Sequence, residues 1–182
     1  MVVSGIKING LKCIFLQMKC DLRNLVIHLE LCRMERSERF TARNPRYRDL
    51  ILEKTTGQHF MHHIGFTLDR IEAGFVTGSM YNQEHIRQQA GFLHGGATAT
   101  FADLVMGFAA YSLVGEDEAV VTADLRISYL NPGVGKLFRA EGQVIKNGRK
   151  LIFCEAEIFA DHLLIAKASA SMAVVSLAEI MR

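Results

Sequence analysis

From Gly96 to Val114 the chain carries one charged side chain, Asp103, in a run otherwise built on residues such as Phe101, Leu104, Val105, Met106 and Phe108. A helix that is apolar nearly all round has to be covered on every side. The run is interrupted at Asp103 and ends at Gly115-Glu116-Asp117-Glu118, short of the roughly 20 apolar residues of a membrane span. It therefore reads as a helix buried inside a domain, with no membrane span. Strand-like segments lie on both sides of it. Ile64 to Ile71 and Phe75 to Tyr81 read as a hairpin about Ala73-Gly74, followed after the helix by Val120 to Leu130, Leu137 to Lys146, Leu151 to Ala160 and Leu163 to Val175. Asn147-Gly148 is a tight-turn signal and Asn131-Pro132-Gly133 ends a strand. Short turns between consecutive strands favour antiparallel pairing. The expected fold is α+β, an antiparallel sheet wrapped around one long central helix.

The start of that helix is chemically distinctive. His94-Gly95-Gly96 puts two glycines where a ligand carbonyl can approach the backbone, beside the unpaired N–H groups and the positive end of a helix dipole. Such a turn suits an anion hole. A tight turn without a ligand is the plainer reading of the glycines, and a capping or turn residue the plainer reading of His94. Asp103, as an isolated buried carboxylate, is expected to be paired, strongly hydrogen-bonded or functional; capping a neighbouring element or lying at a wet interface are its structural alternatives. Gly95 and Asp103 stand about 12 Å apart along a helix, whereas a base must come within about 3 Å of what it activates. Two groups so placed can act on one substrate only if two antiparallel copies of the helix lie side by side, as in a two-fold dimer.

Net charge is +2 over 182 residues, but the first 50 residues carry +5 and the remainder −3. The basic residues Arg33, Arg36, Arg39, Arg43, Arg46 and Arg48 read as a solvated surface without a reading helix, so nucleic-acid binding is not expected. Cys13, Cys20 and Cys32 fall early and Cys154 late, in a spacing that matches neither a zinc site nor a disulfide framework. Lys12, Lys19, Asp21 and Arg23 break up any secretory signal. A cytoplasmic protein follows. Residues 1–43 read as an N-terminal extension and 44–182 as the folded domain, with residues 1–33 dispensable and upstream of a start at Met34. Domain sequence begins near Asn44-Pro45, with a short helix through Arg48 and Leu52 stopped by Gly57. His59 and His63 have helical spacing, and His62 lies between them, but Gly57 argues that the helix has ended, and no metal is expected.

The segment His94-Gly-Gly-Ala-Thr-Ala-Thr-Phe-Ala-Asp103, followed by Val121-Thr-Ala-Asp-Leu-Arg-Ile-Ser-Tyr-Leu-Asn-Pro132, resembles the hot-dog-fold acyl-CoA thioesterases of the phenylacetate-pathway type. The similarity runs from about Phe60 to Val175. It implies that the Gly95 N–H polarises a thioester carbonyl, assisted by an amide six residues before the histidine, here Gln88 where Asn is common. It implies Asp103 as general base or nucleophile, with Thr122 holding the water, and His94 orienting the loop or lying near the thioester sulfur. Lys146, Arg149 and Lys150, otherwise an ordinary charged turn, would touch coenzyme A phosphates. The expected protein is a homodimer or dimer of dimers with cross-chain sites that hydrolyses an acyl-CoA without metal or redox cofactor. An apolar lining from Phe101, Met106, Phe108 and nearby strands suggests an aryl or medium-chain acyl group. Two other readings are a non-catalytic acyl-CoA sensor signalling through the basic arm, and a hydratase or dehydratase acting on the acyl chain.

Overall fold

Asn44 opens the helical part of the chain. Its side-chain oxygen accepts the Arg46 N–H at 2.9 Å and its carbonyl the Tyr47 N–H at 3.2 Å, and α1 (Tyr47–Thr56) runs from there to Gly57, the expected stop. The structure, a computed structural model, describes residues 40–180; most of the sequence read as an extension lies outside them. Its last residues are tied to the domain. Phe40 packs on the core, and Arg43 donates to the Leu113 carbonyl and pairs with Glu118.

Gly57 does not end the helical region. It sits at φ −90°, ψ 0°, close to helical, and α2 (His59–Ile64) starts two residues later. His59, His62 and His63 are thus helical, contrary to the expectation, because a glycine with a right-handed backbone interrupts a helix without turning the chain away. Gly65 does turn it. At φ +70° it closes α2 in the left-handed conformation that glycine adopts without steric cost, and the strand expected from Ile64 begins only at β1 (Thr67–Glu72).

The remaining elements are β2 (Phe75–Tyr81), α3 (Gly95–Tyr111), β3 (Glu118–Tyr129), β4 (Leu137–Asn147), β5 (Leu151–Ala160), β6 (Leu163–Ser176) and a final turn, α4 (Leu177–Ile180). The six strands form one antiparallel sheet in the order β1-β2-β4-β5-β6-β3. Helix α3 lies on one face, its neighbours chosen for size. Ala140, Ala156, Ala168 and Ala170 are buried and leave room for the helix. Gly142 lets it closest: a Cβ there would stand 2.6 Å from the Val105 backbone. Phe101, Val105 and Met106 are wholly buried, each contributing about 1.5–3 kcal/mol of apolar burial, and Phe66 meets Phe101 edge-on at 5.5 Å. At the other end of α3, the Ser112 hydroxyl donates to the Ala109 carbonyl and accepts the Gly74 N–H, which ties the β1–β2 turn to the helix. This is the expected α+β architecture. None of the described helices is long and apolar enough to cross a membrane.

Candidate functional site

His94 has extended backbone and caps α3: its Nδ1 accepts the Gly96 N–H at 2.9 Å. An imidazole nitrogen that accepts cannot carry a proton, so the neutral ring holds its proton on Nε2. The cap occupies the second N–H of the helix. The first, on Gly95, has no acceptor among the described residues. Gly95 faces a cleft of about 410 Å³ whose walls include Gln88, Phe92, Thr98, Tyr129 and Asn131. Gln88 is held there by its backbone, donating to the Phe92 carbonyl and accepting the Gly91 N–H, both at 2.8 Å. The structure thus brings Gly95, Gln88 and His94 together.

Asp103 is not the isolated buried carboxylate that the apolar run suggests. It is partly exposed, and the Thr122 hydroxyl donates to its Oδ1 at 2.7 Å. The reason is that β3, which covers this side of the helix, is the last strand of the sheet. The carboxylate opens on a second cleft of about 320 Å³ lined by Leu104, Gly107, Phe108, Tyr111, Val120 and Thr122, with Lys54 of α1 and Gln58, which precedes α2, at its margin. Phe108 lines it as expected. Phe101 and Met106 do not: both are wholly buried on the sheet-facing side of α3. The Lys54 ammonium stands 5.0 Å above the Tyr111 ring, and burial, with the nearby Glu53 carboxylate, raises the Tyr111 phenol above its ordinary pKa.

The two clefts are linked by β3, which runs antiparallel to α3. Thr122 near one end meets Asp103, and Tyr129 at the other donates its hydroxyl to the Gly95 carbonyl at 2.9 Å. Strict alternation would put residues 122 and 129 on opposite faces. A bulge resolves this. Thr122 pairs with Met172 and Asp124 with Ser171, leaving Ala123 unpaired, so that Val120 and Thr122 before it, and Leu125, Ile127 and Tyr129 after it, all face the helix. Within one chain the halves stay apart: Gly95 and Asp103 are eight residues along one unbroken helix, about 12 Å, in separate clefts.

Lys146, Arg149 and Lys150 are exposed around the β4–β5 turn and line neither cleft. Register sets Leu151 beside Ala173, and Ala173 beside Val121, so the turn lies two strands, about 10 Å, from the Thr122 end of β3. The His63 and His85 rings meet tilted by 47° at 5.1 Å, with the His85 ring against the His63 carbonyl. No group of three or more His, Cys, Asp or Glu that could hold a metal occurs among the described residues. Tyr129, Lys54 and Gln58 are absent from the sequence-based site. Tyr129 sits inside the second motif, but its odd spacing from Thr122 assigns it to the opposite face of a regular strand, so the bulge at Ala123 hides it from a sequence reading.

Residues 90–166 match the Thioesterase superfamily. The medium/long-chain acyl-CoA thioesterase YigI of Salmonella typhimurium is 29% identical over 140 residues, covering 65% of this chain and 90% of the relative. A thioesterase family protein from Silicibacter pomeroyi has a solved structure that superposes with TM-score 0.69 at 31% identity, over 71% of this chain and 98% of that one. The E. coli PaaI protein from the phenylacetic acid degradation operon shares the fold, with TM-score 0.67 at 18% identity over 72% of this chain and 94% of that one.

Proposed function

Because this chain belongs to the thioesterase superfamily, and is a hot-dog-fold thioester hydrolase, we propose that it hydrolyses an aryl or medium-chain acyl-CoA to the free acid and coenzyme A, in sites shared between two copies. The observation that carries this reading is the division of the site along β3. Gly95 and Asp103 open on different clefts at opposite ends of an edge strand of 12 residues. A long free edge invites pairing with another strand. Antiparallel pairing of β3 with its own copy, about a two-fold axis near Leu125 and Arg126, carries each Tyr129 end over the partner's Thr122 end. The partner's Asp103 then faces Gly95.

In that arrangement the Gly95 N–H, with the Gln88 amide, stabilises the oxyanion that develops on the thioester carbonyl. Asp103 from the other chain takes a proton from water or attacks directly, and Thr122 places that water. His94 acts by holding the helix start. The acyl group lies along the stripe Leu104, Gly107, Phe108 and Tyr111, and the exposed Lys146, Arg149 and Lys150 offer cations to coenzyme A phosphates. A cytoplasmic setting, where thiols stay reduced, fits the free thiol of Cys154.

Incubating the protein with a panel of acyl-CoA thioesters and a thiol reagent tests the reading. Thiol release that peaks on aryl or medium-chain substrates is the expected result. Tight binding without release would make the protein a sensor, and hydration of an enoyl chain with the thioester intact would make it a hydratase.

A further inference from the structure

Two consecutive peptide planes form the start of α3, and their four polar groups can be accounted for one by one. The His94 carbonyl accepts the Thr98 N–H at 3.0 Å and the Thr98 hydroxyl at 3.3 Å. The Gly96 N–H is taken by His94 Nδ1, and the Gly95 carbonyl, which opens the hydrogen-bond ladder of α3, also accepts the Tyr129 hydroxyl. The fourth group, the Gly95 N–H, is left facing the cleft. The peptide between Gly95 and Gly96 is thereby gripped at both ends, its N–H by one side chain and its C=O by another 34 residues away.

Such a grip answers a physical need. Two adjacent glycines at a helix end have wide conformational freedom, and helix ends fray, so the Gly95 N–H, whose plane is held locally by the Thr98 bonds to the His94 carbonyl, stays aimed only while the first turn stays closed. An oxyanion donor acts only if it is already aimed at the position where charge develops. We infer that Tyr129 is a positioning residue for the anion hole, fixing the plane that follows the Gly95 N–H so that this one donor stays aimed into the cleft. The tyrosine ring contributes as well. It lies 3.5–3.6 Å from where a Cβ on Gly95 would stand, close enough to pack over the glycine, and the Ala123 bulge is what turns it inward. This inference rests on the thioesterase reading above.

The test is Tyr129→Phe, which removes the hydroxyl and keeps the ring. The expected result is a fall in kcat of about tenfold with KM within about twofold, since the lost interaction matters in the transition state and not in substrate binding. Amide exchange, followed by mass spectrometry on the peptide containing Gly95 and Gly96, should be faster in the variant while the rest of α3 keeps its protection. A merely structural tyrosine would lower the melting temperature and leave kcat alone. Unchanged kcat, or a rise in KM alone, overturns the inference while leaving the hydrolase reading intact. If the wild-type protein releases no thiol from any thioester, the hydrolase reading fails and the catalytic role of Tyr129 with it; the exchange result then still shows whether the grip exists.

Discussion

Thr122 reaches across 19 residues of sequence to donate its hydroxyl to Asp103 at 2.7 Å. The bond ties one carboxylate oxygen to β3, and the residue lines the cleft beside that strand. Asp103→Asn keeps size and an acceptor oxygen but removes the charge, so folding and assembly should persist while kcat falls at least about a hundredfold. Thr122→Ala should cost about threefold to tenfold, because water can replace a hydroxyl that only positions another group. Steady-state kinetics on any accepted thioester decides both. Near-normal turnover in Asp103→Asn removes the carboxylate from the chemistry.

Mixed dimers test the sharing of sites. Gly95 is the first helical residue and His94 before it is extended, a setting in which proline is tolerated, although the Tyr129 ring must yield slightly to a Cβ 3.4 Å from its hydroxyl. Gly95→Pro removes the donor and Asp103→Asn the base. Random exchange of the two inactive variants makes about half the dimers mixed, each with one complete site of two, so about a quarter of wild-type activity should return. Differently tagged chains would verify exchange. Heterodimers that form from folded variants and stay inactive would place base and donor within one chain.

Gly107 borders the Asp103 cleft, and a Cβ added to it meets nothing within 4 Å. Gly107→Ala should therefore raise stability by about 0.5–1 kcal/mol, the helix-propensity difference, measured by denaturant unfolding. Gly107→Leu should fill the cleft and lower kcat/KM for the longest accepted acyl chains by at least about tenfold relative to the shortest. An unchanged chain-length profile would show that the acyl group lies elsewhere.

Cys154 is buried under α3, and burial pushes its thiol up to about 12. A thiol reagent at pH 8 should leave it unlabelled in the native protein and label it after unfolding, read by peptide mapping. The sign of its pH effect follows. The native thiol binds its proton more tightly than the unfolded one, whose pKa is near 9, so its contribution is constant below about 9 and is lost as pH rises from there toward 12. Native-state labelling at pH 8 would mean that the sheet opens locally at β5.

The sequence reading succeeds where one residue type decides the outcome. The apolar run between Gly96 and Val114 cannot stand in water, Asn147-Gly148 closes the β4–β5 hairpin, and the His94-Gly95-Gly96 start leaves a backbone donor free. It goes wrong where backbone state decides. Gly57 and Gly65 are the same residue eight positions apart, yet one sits near φ −90° between two helices and the other at φ +70° ends the helical region; no side chain distinguishes them in advance. The burial of Asp103, Phe101 and Met106 depends on which flank of α3 the sheet leaves open, a property of strand order and not of the helix. The contact between Tyr129 and Gly95 joins residues far apart in sequence, and it depends on an unpaired alanine that carries no composition signal.

That alanine is slack in β3. From Thr122 to Tyr129 the chain takes 7 steps, while their partners on β6, Met172 to Ala166, take 6. Ala123 is the step that the pairing does not count. Deleting it joins Thr122 to Asp124 in the register they already hold, and Val120, Thr122, Leu125, Ile127 and Tyr129 keep the helix face. The phase between the two clefts is therefore fixed by the ladder to β6 and not by the number of residues between the motifs, so the strand can lose a residue at this one place and still deliver a hydroxyl to each end of α3.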